Sequence, residues 1–470
     1  MIALARLGLL LSVLGALLTG SAWAQPLPPH QQLARDIFRE LVEINTVAAT
    51  GDSLRAAQAM ADRLRAAGFP DEDVRVLSPG PRKGNLVARL RGTGTRRPML
   101  LMAHLDVVEA RREDWSFDPF TLLEQDGWFY GRGTGDDKFM AAAFIANLIR
   151  YRQEGYRPER DLIVVLETDE EILDANRQGI RWLLANHRPL IDAEFALNEG
   201  GSVALANDRP ITSSLQTSEK IPVSFVLEVK NPGGHSSQPR RDNAIYRLAD
   251  GLGRLARFDF PVMLNETTRR YFERTGAHRG GPLGADMRAL AAGTAETAAI
   301  ERLSRSVSLN AIMRTTCVAT LLEAGHAANA LPQTARATIN CRILPDHPVA
   351  DVHRTLAEVI GDPQIEVRQL NPGIASPPSP LDPELVRVVE RLTAEFWPGA
   401  LVVPTMLAAA TDGLHLRNAG IPTYGHSGLA VPVNESRSHG KDERILVRSF
   451  YQGLEYLYRL VKELSGPPPQ

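Results

Sequence analysis

Histidine and acidic residues follow three short apolar runs, at the points where buried strands are predicted to end. The three runs are followed by His104 and Asp106, by Glu170 and Glu171, and by Glu199. Short runs rich in Val, Leu and Ile are typical of the inner strands of a parallel sheet. Ligands of open α/β sheets bind beyond the carboxyl ends of the strands, so these side chains are expected to converge.

Two further candidates, Asp136 and His439, lie outside these strand ends. Asp136 and Asp137 follow a glycine-rich turn and open a predicted helix, where we interpret Asp137 as an N-cap. The carboxylate of Asp136 has two oxygens and can bridge two cations. His104 and His439 would then give one imidazole to each cation, and histidine is a common zinc ligand. Because His439 lies far beyond Glu199, this interpretation requires the chain to return to the same domain.

The adjacent residues Glu170 and Glu171 offer two different roles in such a site. One carboxylate can bind a metal ion while its neighbour stays free to accept a proton from water. Two metal ions about 4 Å apart acidify water and polarise a substrate carbonyl. A base beside them completes the chemistry of hydrolysis. The pattern therefore predicts a two-metal hydrolase.

The 470-residue chain is too long for one hydrophobic core, which predicts two domains. Strand-like and helix-like segments alternate from residue 86 to 201, and this favours a mostly parallel α/β sheet. From residue 219 the pattern changes to alternating strands, among them residues 306–322, with helices between them. Residues 269–294 fit neither pattern. A proline-rich connector, residues 371–383, precedes a return to helix and strand.

These segments predict a catalytic domain that is interrupted in sequence by an inserted domain. We place the first part of the α/β catalytic domain at 25–217, an inserted α+β lid domain at 218–372, and the second catalytic part at 373–470. The formal net charge is −2, and no basic stripe supports a nucleic-acid partner.

Residues 1–24 have the pattern of a secretory signal peptide. A short segment with Arg6 precedes an apolar stretch, and Ala22, Trp23 and Ala24 precede Gln25. A retained anchor helix is the alternative, but the apolar stretch is short for the ~20 residues that span a membrane. We therefore expect a periplasmic or secreted protein without a membrane attachment after cleavage.

The chain contains two cysteines, Cys317 and Cys341, and both lie in strand-like segments. In an oxidising compartment they would pair if these strands are neighbours. The alternative is a pair of buried thiols. Two cysteines cannot supply the metal site.

The candidate residues lie in short motifs that occur in this order: AHLDVV, GRGTGDDK, ETDEE, FALNEGG, GGHSSQP, ANALP, INCRILP, TDG and SHGKDE. Taken together, these motifs and their order resemble those of the M20 metallopeptidase family. The resemblance covers nearly the whole mature chain, and the length and the inserted segment are most similar to the carboxypeptidase S and N-acyl-amino-acid hydrolase branch.

The resemblance implies a site with two divalent metal ions, expected to be Zn²⁺. His104, Asp136 and Glu199 match the residues that bind one zinc. Asp136, as the bridging ligand, binds the other zinc together with Glu171 and His439.

The resemblance also implies catalytic roles beside the ligands. Glu170 matches the general base, and Asp106 matches the carboxylate that orients His104, a partner that metal-bound histidines usually need.

Three residues match positions of the lid domain that contact the substrate. His235 matches a histidine placed over the substrate carbonyl, and Asn329 and Arg342 match residues that hold the substrate and its carboxylate. A guanidinium group suits the two oxygens of a carboxylate. Arg314 and Arg336 remain rivals of Arg342 for this role.

The implied function is hydrolysis of the amide bond of N-acyl amino acids or short peptides with a free C-terminal carboxylate. Alternatives within the family are a di- or tripeptide aminopeptidase and a deacetylase. A non-catalytic binding protein on the same scaffold is disfavoured, because no ligand or base is missing. Family members often dimerise through the lid, with the lid histidine reaching a neighbour's site, so a homodimer is a further expectation.

Overall fold

A computed structural model describes residues 26–172 and 179–467. The predicted signal peptide lies outside the described residues. Among the helices of the described ranges, none is long and apolar enough to cross a membrane.

In chain order, the strands are β1 (Val74–Gly80), β2 (Lys83–Leu90), β3 (Met99–His104), β4 (Leu123–Gln125), β5 (Trp128–Tyr130), β6 (Leu162–Glu167), β7 (Phe195–Asn198), β8 (Val203–Ala206), β9 (Arg209–Glu219), β10 (Ile221–Lys230), β11 (Gly234–His235), β12 (Thr316–Ala324), β13 (Ala330–Leu331), β14 (Thr334–Ile343), β15 (Ile365–Gln369), β16 (Leu401–Leu407), β17 (Thr423–Gly425), β18 (Ala430–Pro432) and β19 (Arg444–Leu446). The helices are α1 (Pro29–Glu43), α2 (Ser53–Ala66), α3 (Lys138–Gln153), α4 (Gly179–Ile191), α5 (Ala244–Leu255), α6 (Glu266–Arg279), α7 (Gly281–Ala291), α8 (Thr297–Ser304), α9 (Val307–Met313), α10 (Val349–Ile360), α11 (Pro383–Phe396), α12 (Gly413–Asn418) and α13 (Val447–Ser465).

The catalytic domain is built on a ten-stranded sheet in the order β1-β2-β6-β3-β7-β17-β9-β8-β18, with β16 also paired to β9. The strands β6, β3, β7 and β17 at its centre run parallel. Antiparallel pairs flank them on both sides. The predicted α/β fold with a mostly parallel sheet is confirmed.

Helices on both faces of the sheet explain why β3 is apolar along its whole length. Leu101 and Ala103 pack into the core shared with α1, α3 and α13. Leu100 and Met102, on the opposite face, pack into the core shared with α4 and α12. A strand buried on both faces has no polar alternation, and its first polar side chains come where it ends.

The lid domain contains a four-stranded antiparallel sheet in the order β12-β14-β10-β15. Its long pair, β10 and β14, runs from the partners Ile221 and Ile343 to the partners Lys230 and Thr334. Helices α5 and α10 cover one face of this sheet. The short pair β11 and β13 continues beyond Lys230. The predicted inserted α+β lid is confirmed as a fold.

The prediction of a strand over residues 306–322 is wrong in its first half, which forms α9. Ser306 caps this helix by accepting a hydrogen bond from the Leu309 N–H at 3.4 Å. Leu309 and Met313 are both buried and are separated by four positions, the spacing of one helical face. The strand β12 begins only at Thr316.

Residues 269–294, which fitted neither sequence pattern, form most of α6 and the whole of α7. Together with α8 and α9 these helices build a small core of their own. Helix α6 packs against β16, and α7, α8 and α9 follow it in a chain of helix–helix contacts. Thr267 hydrogen bonds to Thr217 at 3.0 Å, and the Asn265 amide donates to the Met406 sulphur at 3.5 Å. Part of the interval predicted as lid therefore covers the catalytic domain.

Cys317 and Cys341 form a disulfide. They are direct cross-strand partners on β12 and β14. Of the two alternatives, the pair of buried thiols is wrong, and the disulfide ties the edge strand of the lid sheet to its neighbour.

Candidate active site

The ends of three parallel strands and two loops bring the predicted polar residues together. His104 is the last residue of β3, Glu170 and Glu171 follow β6, and Glu199 follows β7. Two residues from other elements complete the cluster: Asp136 lies just before α3, and His439 lies between β18 and β19.

Asp136 lies between the two histidines, with one carboxylate oxygen towards each. Its Oδ1 is 3.0 Å from His104 Nε2, and its Oδ2 is 3.2 Å from His439 Nε2. His439 Nε2 also lies 3.0 Å from the carboxylate of Glu171. The two imidazoles therefore share one carboxylate, and Glu171 belongs to the His439 side.

Among the residues that the structure describes, two groups of potential ligand atoms are compact enough to hold a metal ion. The first contains His104, Asp136 and Glu171, and the second contains His104, Glu170 and Glu199. Within each group the ligand atoms lie within 4.8 Å of one another. Glu170, predicted as the base and not as a ligand, thus lies beside Glu199 and His104.

Burial and mutual repulsion shift the pKa values of this cluster. Burial and the charge of Asp136 raise the pKa of Glu199 to about 8. Burial and the charge of Glu199 raise the pKa of Glu170 well above its usual range. Burial alone would lower the pKa of His104, but the hydrogen bond to Asp136 and the charges of Glu199 and Glu170 raise it well above 6.5. The buried carboxylates therefore repel one another, and the two imidazoles are held in their charged form beside them.

The donor set fits divalent metal ions. His104 Nδ1 lies 2.9 Å from the carbonyl oxygen of Asp106 and can only donate to it. In the neutral ring Nε2 then carries the lone pair and faces Asp136, which is the orientation of a metal ligand. Imidazole nitrogens and carboxylate oxygens are the usual ligands of zinc in hydrolases. Added positive charge would relieve the repulsion between the carboxylates.

The predicted role of Asp106 differs from the contacts observed. Its carboxylate lies 3.9 Å from His104 Nδ1, beyond hydrogen-bond distance. Instead the two carboxylate oxygens accept the backbone N–H groups of Glu170 and Glu171 at 3.1 and 3.0 Å. The backbone carbonyl of Asp106 therefore orients the imidazole of His104. The carboxylate of Asp106 holds the backbone of Glu170 and Glu171.

Asp137 occupies the predicted N-cap position, but its side chain makes no capping hydrogen bond. The carboxyl is buried, and its Oδ2 has no hydrogen-bond partner among the described residues. Burial raises the pKa of Asp137 well above its usual range.

The predicted lid residues lie at opposite ends of the lid sheet. Arg342 is paired with Pro222 next to the junction with the catalytic domain. His235 and Asn329 lie beyond the other end, in and beside the pair β11 and β13, where the Ser236 N–H donates to the Asn329 carbonyl at 3.0 Å. At about 3.4 Å per residue, the length of β10 alone separates the two ends by about 30 Å. Within one chain, the structure does not bring these three residues together.

His235 is exposed and is oriented by its neighbour Ser237. The Ser237 N–H donates to His235 Nδ1 at 3.2 Å. This makes Nδ1 an acceptor, so the proton of the neutral ring is on Nε2, where it can be donated to a ligand.

The comparisons with known proteins agree with this geometry. The model of peptidase family M20/M25/M40 matches residues 100–463. The chain belongs to peptidase family M20. The N-fatty-acyl-amino acid synthase/hydrolase PM20D1 of Xenopus tropicalis is 31% identical over 382 residues, which cover 79% of this chain and 74% of that protein. The probable carboxypeptidase S-like 2 of Dictyostelium discoideum is 29% identical over 376 residues, covering 78% and 71%.

Solved structures of the family share the fold. The M20 family metallo-carboxypeptidase Sso-CP2 from Sulfolobus solfataricus superposes with a TM-score of 0.67 at 16% identity, covering 91% of this chain and 98% of that one. At this identity the likeness shows the fold alone. The family match confirms that this M20 chain is an enzyme of metallopeptidase type.

Two buried residues next to predicted site residues were missed in the sequence. Lys220 joins β9 to β10 and is 1% exposed, and its Nζ donates to the Arg314 carbonyl at 2.7 Å. Burial and the nearby charge of Arg342 lower the pKa of Lys220 to about 7. A single lysine between two strands carries no pattern that indicates such a position.

The second missed residue is Glu443, which follows His439 in the motif SHGKDE. It is 1% exposed and forms an ion pair with Arg132 at 2.7 Å. Its place in the motif was a signal, but its partners lie about 310 positions earlier, so only the fold shows what it holds.

Proposed function

We propose that this M20 hydrolase uses two divalent metal ions, expected to be Zn²⁺, to cleave the amide bond between an acyl group and an amino acid with a free carboxylate. We further propose that it works in the periplasm or outside the cell, on the basis of residues 1–24. The proposal is carried by one observation, the position of His104 and His439 on the two oxygens of Asp136.

In this proposal His104, Asp136 and Glu199 hold one ion, and Asp136, Glu171 and His439 hold the other. The bound ions would polarise the substrate carbonyl and acidify water. Only Asp136 is shared, which matches its bridging position between the two imidazoles.

Glu170 is the proposed general base. Its backbone N–H is fixed by Asp106, whereas no hydrogen bond to its carboxylate occurs within the described residues. A held backbone and a free carboxylate suit a group that accepts a proton from water and passes it to the leaving nitrogen. Glu171, in contrast, contacts His439.

Arg342 and Lys220 support recognition of a free substrate carboxylate. Neither has an ion pair with an acidic residue in the described part of the chain, and burial lowers the pKa of both. Two neighbouring cations without an acid repel each other, and an anionic ligand would relieve this repulsion. The names of two relatives, an N-fatty-acyl-amino acid hydrolase and a carboxypeptidase S-like protein, also support such a substrate.

We propose that the enzyme is a homodimer in which His235 and Asn329 complete the site of the neighbouring subunit. The length of the lid sheet separates these residues from Arg342 of the same chain. The edge strand β12 also exposes Val318, Leu321 and Leu322 by 61%, 62% and 66%. An exposed apolar edge strand is a ready surface for association.

The function is tested with a panel of substrates on purified enzyme loaded with zinc, manganese or cobalt. We expect turnover of N-acyl amino acids with free carboxylates, and complete loss of activity in a chelator. Turnover of dipeptide amides in preference to N-acyl amino acids would replace the proposal with an aminopeptidase function.

The shared site is tested by mixing two inactive variants, Glu170→Gln and His235→Ala. Random mixing makes about half of the dimers mixed. If His235 acts in the neighbouring subunit, one of the two sites in each mixed dimer is intact, so mixing restores about a quarter of the wild-type activity. If His235 acts within its own chain, every site lacks one group and mixing restores nothing.

A further inference from the structure

A cavity of about 380 Å³ opens beside the metal-ligand cluster. Asp136 and Glu199 line it, together with Asp137 and Glu443. Arg342 does not line it. The cavity therefore includes two of the candidate metal ligands and lies within the catalytic domain, and the residue proposed to bind the substrate carboxylate is not part of its lining.

Two pairs of apolar residues from different sheets form the walls. Ala204 on β8 faces the cavity beside its strand partner Val431 on β18. Trp128 on β5 faces it beside its partner Leu446 on β19. Leu429 adds a further apolar surface. The lining also contains polar side chains, among them Ser202, Ser427 and Ser438. Apolar walls combined with a few polar groups are typical of a site for a small ligand with an apolar part.

The charged groups at the rim are paired with one another. Glu435 binds Arg444 at 2.5 Å and lies 3.4 Å from Arg437. The guanidinium of Arg444 also lies 4.1 Å from the centre of the Trp128 ring. Glu443, at the inner end, is held by Arg132. Beyond the metal-ligand cluster and its buried neighbour Asp137, the described carboxylates along the cavity are therefore paired and cannot neutralise the ammonium group of a peptide substrate.

We infer that this cavity binds the hydrocarbon chain of the acyl group, and that the preferred substrates are N-acyl amino acids with unbranched chains of medium length. The inference rests on the proposed function and adds the acyl specificity. A methylene group takes about the volume of a water molecule in the liquid, about 30 Å³, so the cavity holds roughly eight to twelve carbons. A charged amino group would lose its hydration there without gaining a partner.

The inference predicts a dependence on chain length. Each buried methylene adds enough transfer free energy to raise kcat/KM about fourfold. The rise should continue from the acetyl substrate to chains of roughly ten carbons and then stop, because longer chains no longer fit.

Ala204 is the position at which the cavity can be filled. Ala204→Phe should lower the ratio of kcat/KM for the decanoyl substrate to that for the acetyl substrate by at least tenfold. Ala206→Phe is the matched control: Ala206 is half-buried on the same face of β8, two positions further on, and does not line the cavity. The control should keep the wild-type ratio.

The experiment measures kcat/KM for one amino acid carrying acyl chains of two to sixteen carbons, together with a dipeptide of the same C-terminal residue. Val431→Phe provides a second test of the same wall if Ala204→Phe does not fold. Acetyl substrates that are cleaved as well as decanoyl substrates, or equal ratios in the variants of Ala204 and Ala206, would overturn the assignment of the cavity. Failure to cleave any N-acyl amino acid, the acetyl one included, would instead refute the proposed function.

Discussion

Glu443 accepts a hydrogen bond from the backbone N–H of Asp136 at 3.2 Å. The same oxygen accepts the Gly135 N–H at 2.8 Å, and the other oxygen accepts the Gly133 N–H at 3.1 Å. Arg132 neutralises the buried charge. One carboxylate therefore fixes the backbone that carries Asp136, the proposed bridging ligand.

Replacing Glu443 by Gln should destabilise the fold and weaken metal binding together. The amide would place its NH₂ group against backbone donors and leave Arg132 buried without a counter-charge. Breaking a buried pair in this way costs about 3–5 kcal/mol of the free energy of unfolding. Loss of a hydrogen-bond partner that holds a metal ligand in place lowers metal affinity ~10–100-fold. Denaturant unfolding and competition with a metal-binding dye measure the two effects.

The matched control is Asp208→Asn, which removes an exposed ion pair with Arg448. Exposed pairs contribute little to stability. An equal loss of stability in both variants would show that the network around Glu443 has no special role.

The variants Glu170→Gln and Glu171→Gln should differ in metal content. If Glu170 is the base, its variant keeps both ions and the substrate affinity while the rate falls by at least ~10²-fold. Glu171 contacts His439, so its variant should lose or weaken one ion. Metal analysis and single-turnover rates separate the two outcomes, and equal metal loss in both variants would contradict the assignment.

The pH dependence of the metal-free protein should report on His439. Hydrogen bonds to Asp136 and Glu171 raise the pKa of His439 to about 10 in the fold, from 6.5 in the unfolded chain. Its stabilising contribution is therefore complete below pH 6.5 and is lost as the pH rises through about 10. Because a metal ion must displace this proton, metal affinity should rise over the same range.

Unfolding in a chelator and metal competition, each followed between pH 6 and pH 10, test this prediction for wild type and His439→Ala. The variant should show a flatter curve in both experiments and a lower metal content. His278→Ala, on α6 and away from the cluster, is the control. Parallel curves for wild type and His439→Ala would show that His439 is a surface histidine.

The central strands and the convergence of the candidate ligands could be predicted because one physical rule governs both. Strands buried on both faces read as apolar runs, and their ends are the first places where polar side chains occur. His104, Glu170 and Glu199 follow this rule. Asp136 and His439 required their chemistry as well, since neither follows such a strand.

Contacts between distant segments could not be predicted. The Asp106 carboxylate was predicted to orient His104, its neighbour in sequence, whereas it holds the backbone of Glu170 and Glu171. Helix α9 was predicted as a strand because short apolar segments suit both structures. The position of α6 on β16 depends on packing that no local pattern encodes.

Recognition of the substrate carboxylate should depend on pH through Lys220. Burial and the charge of Arg342 lower the pKa of Lys220 to about 7, so in the free enzyme its amine loses its charge above that pH. A bound carboxylate favours the charged amine, and binding at pH 8 should therefore take up a proton. Titration calorimetry with the amino acid product, in two buffers of different ionisation enthalpy, measures this uptake. Wild type should show it and Lys220→Met should not.

The positions of Arg342 and Lys220 also predict how the enzyme distinguishes N-acyl amino acids from their amides. Arg342→Ala should raise KM for N-acyl amino acids far more than for their amides, since only the acid meets the lost guanidinium. Arg336→Ala is the control, because Arg336 is already bonded to Glu228 at 2.6 Å on the lid sheet. For wild type, KM for the acid should rise above pH 7 while KM for the amide stays constant. Cleavage of amides as efficiently as acids would show that no carboxylate is bound at Arg342, and an aminopeptidase function would then fit the metal site better.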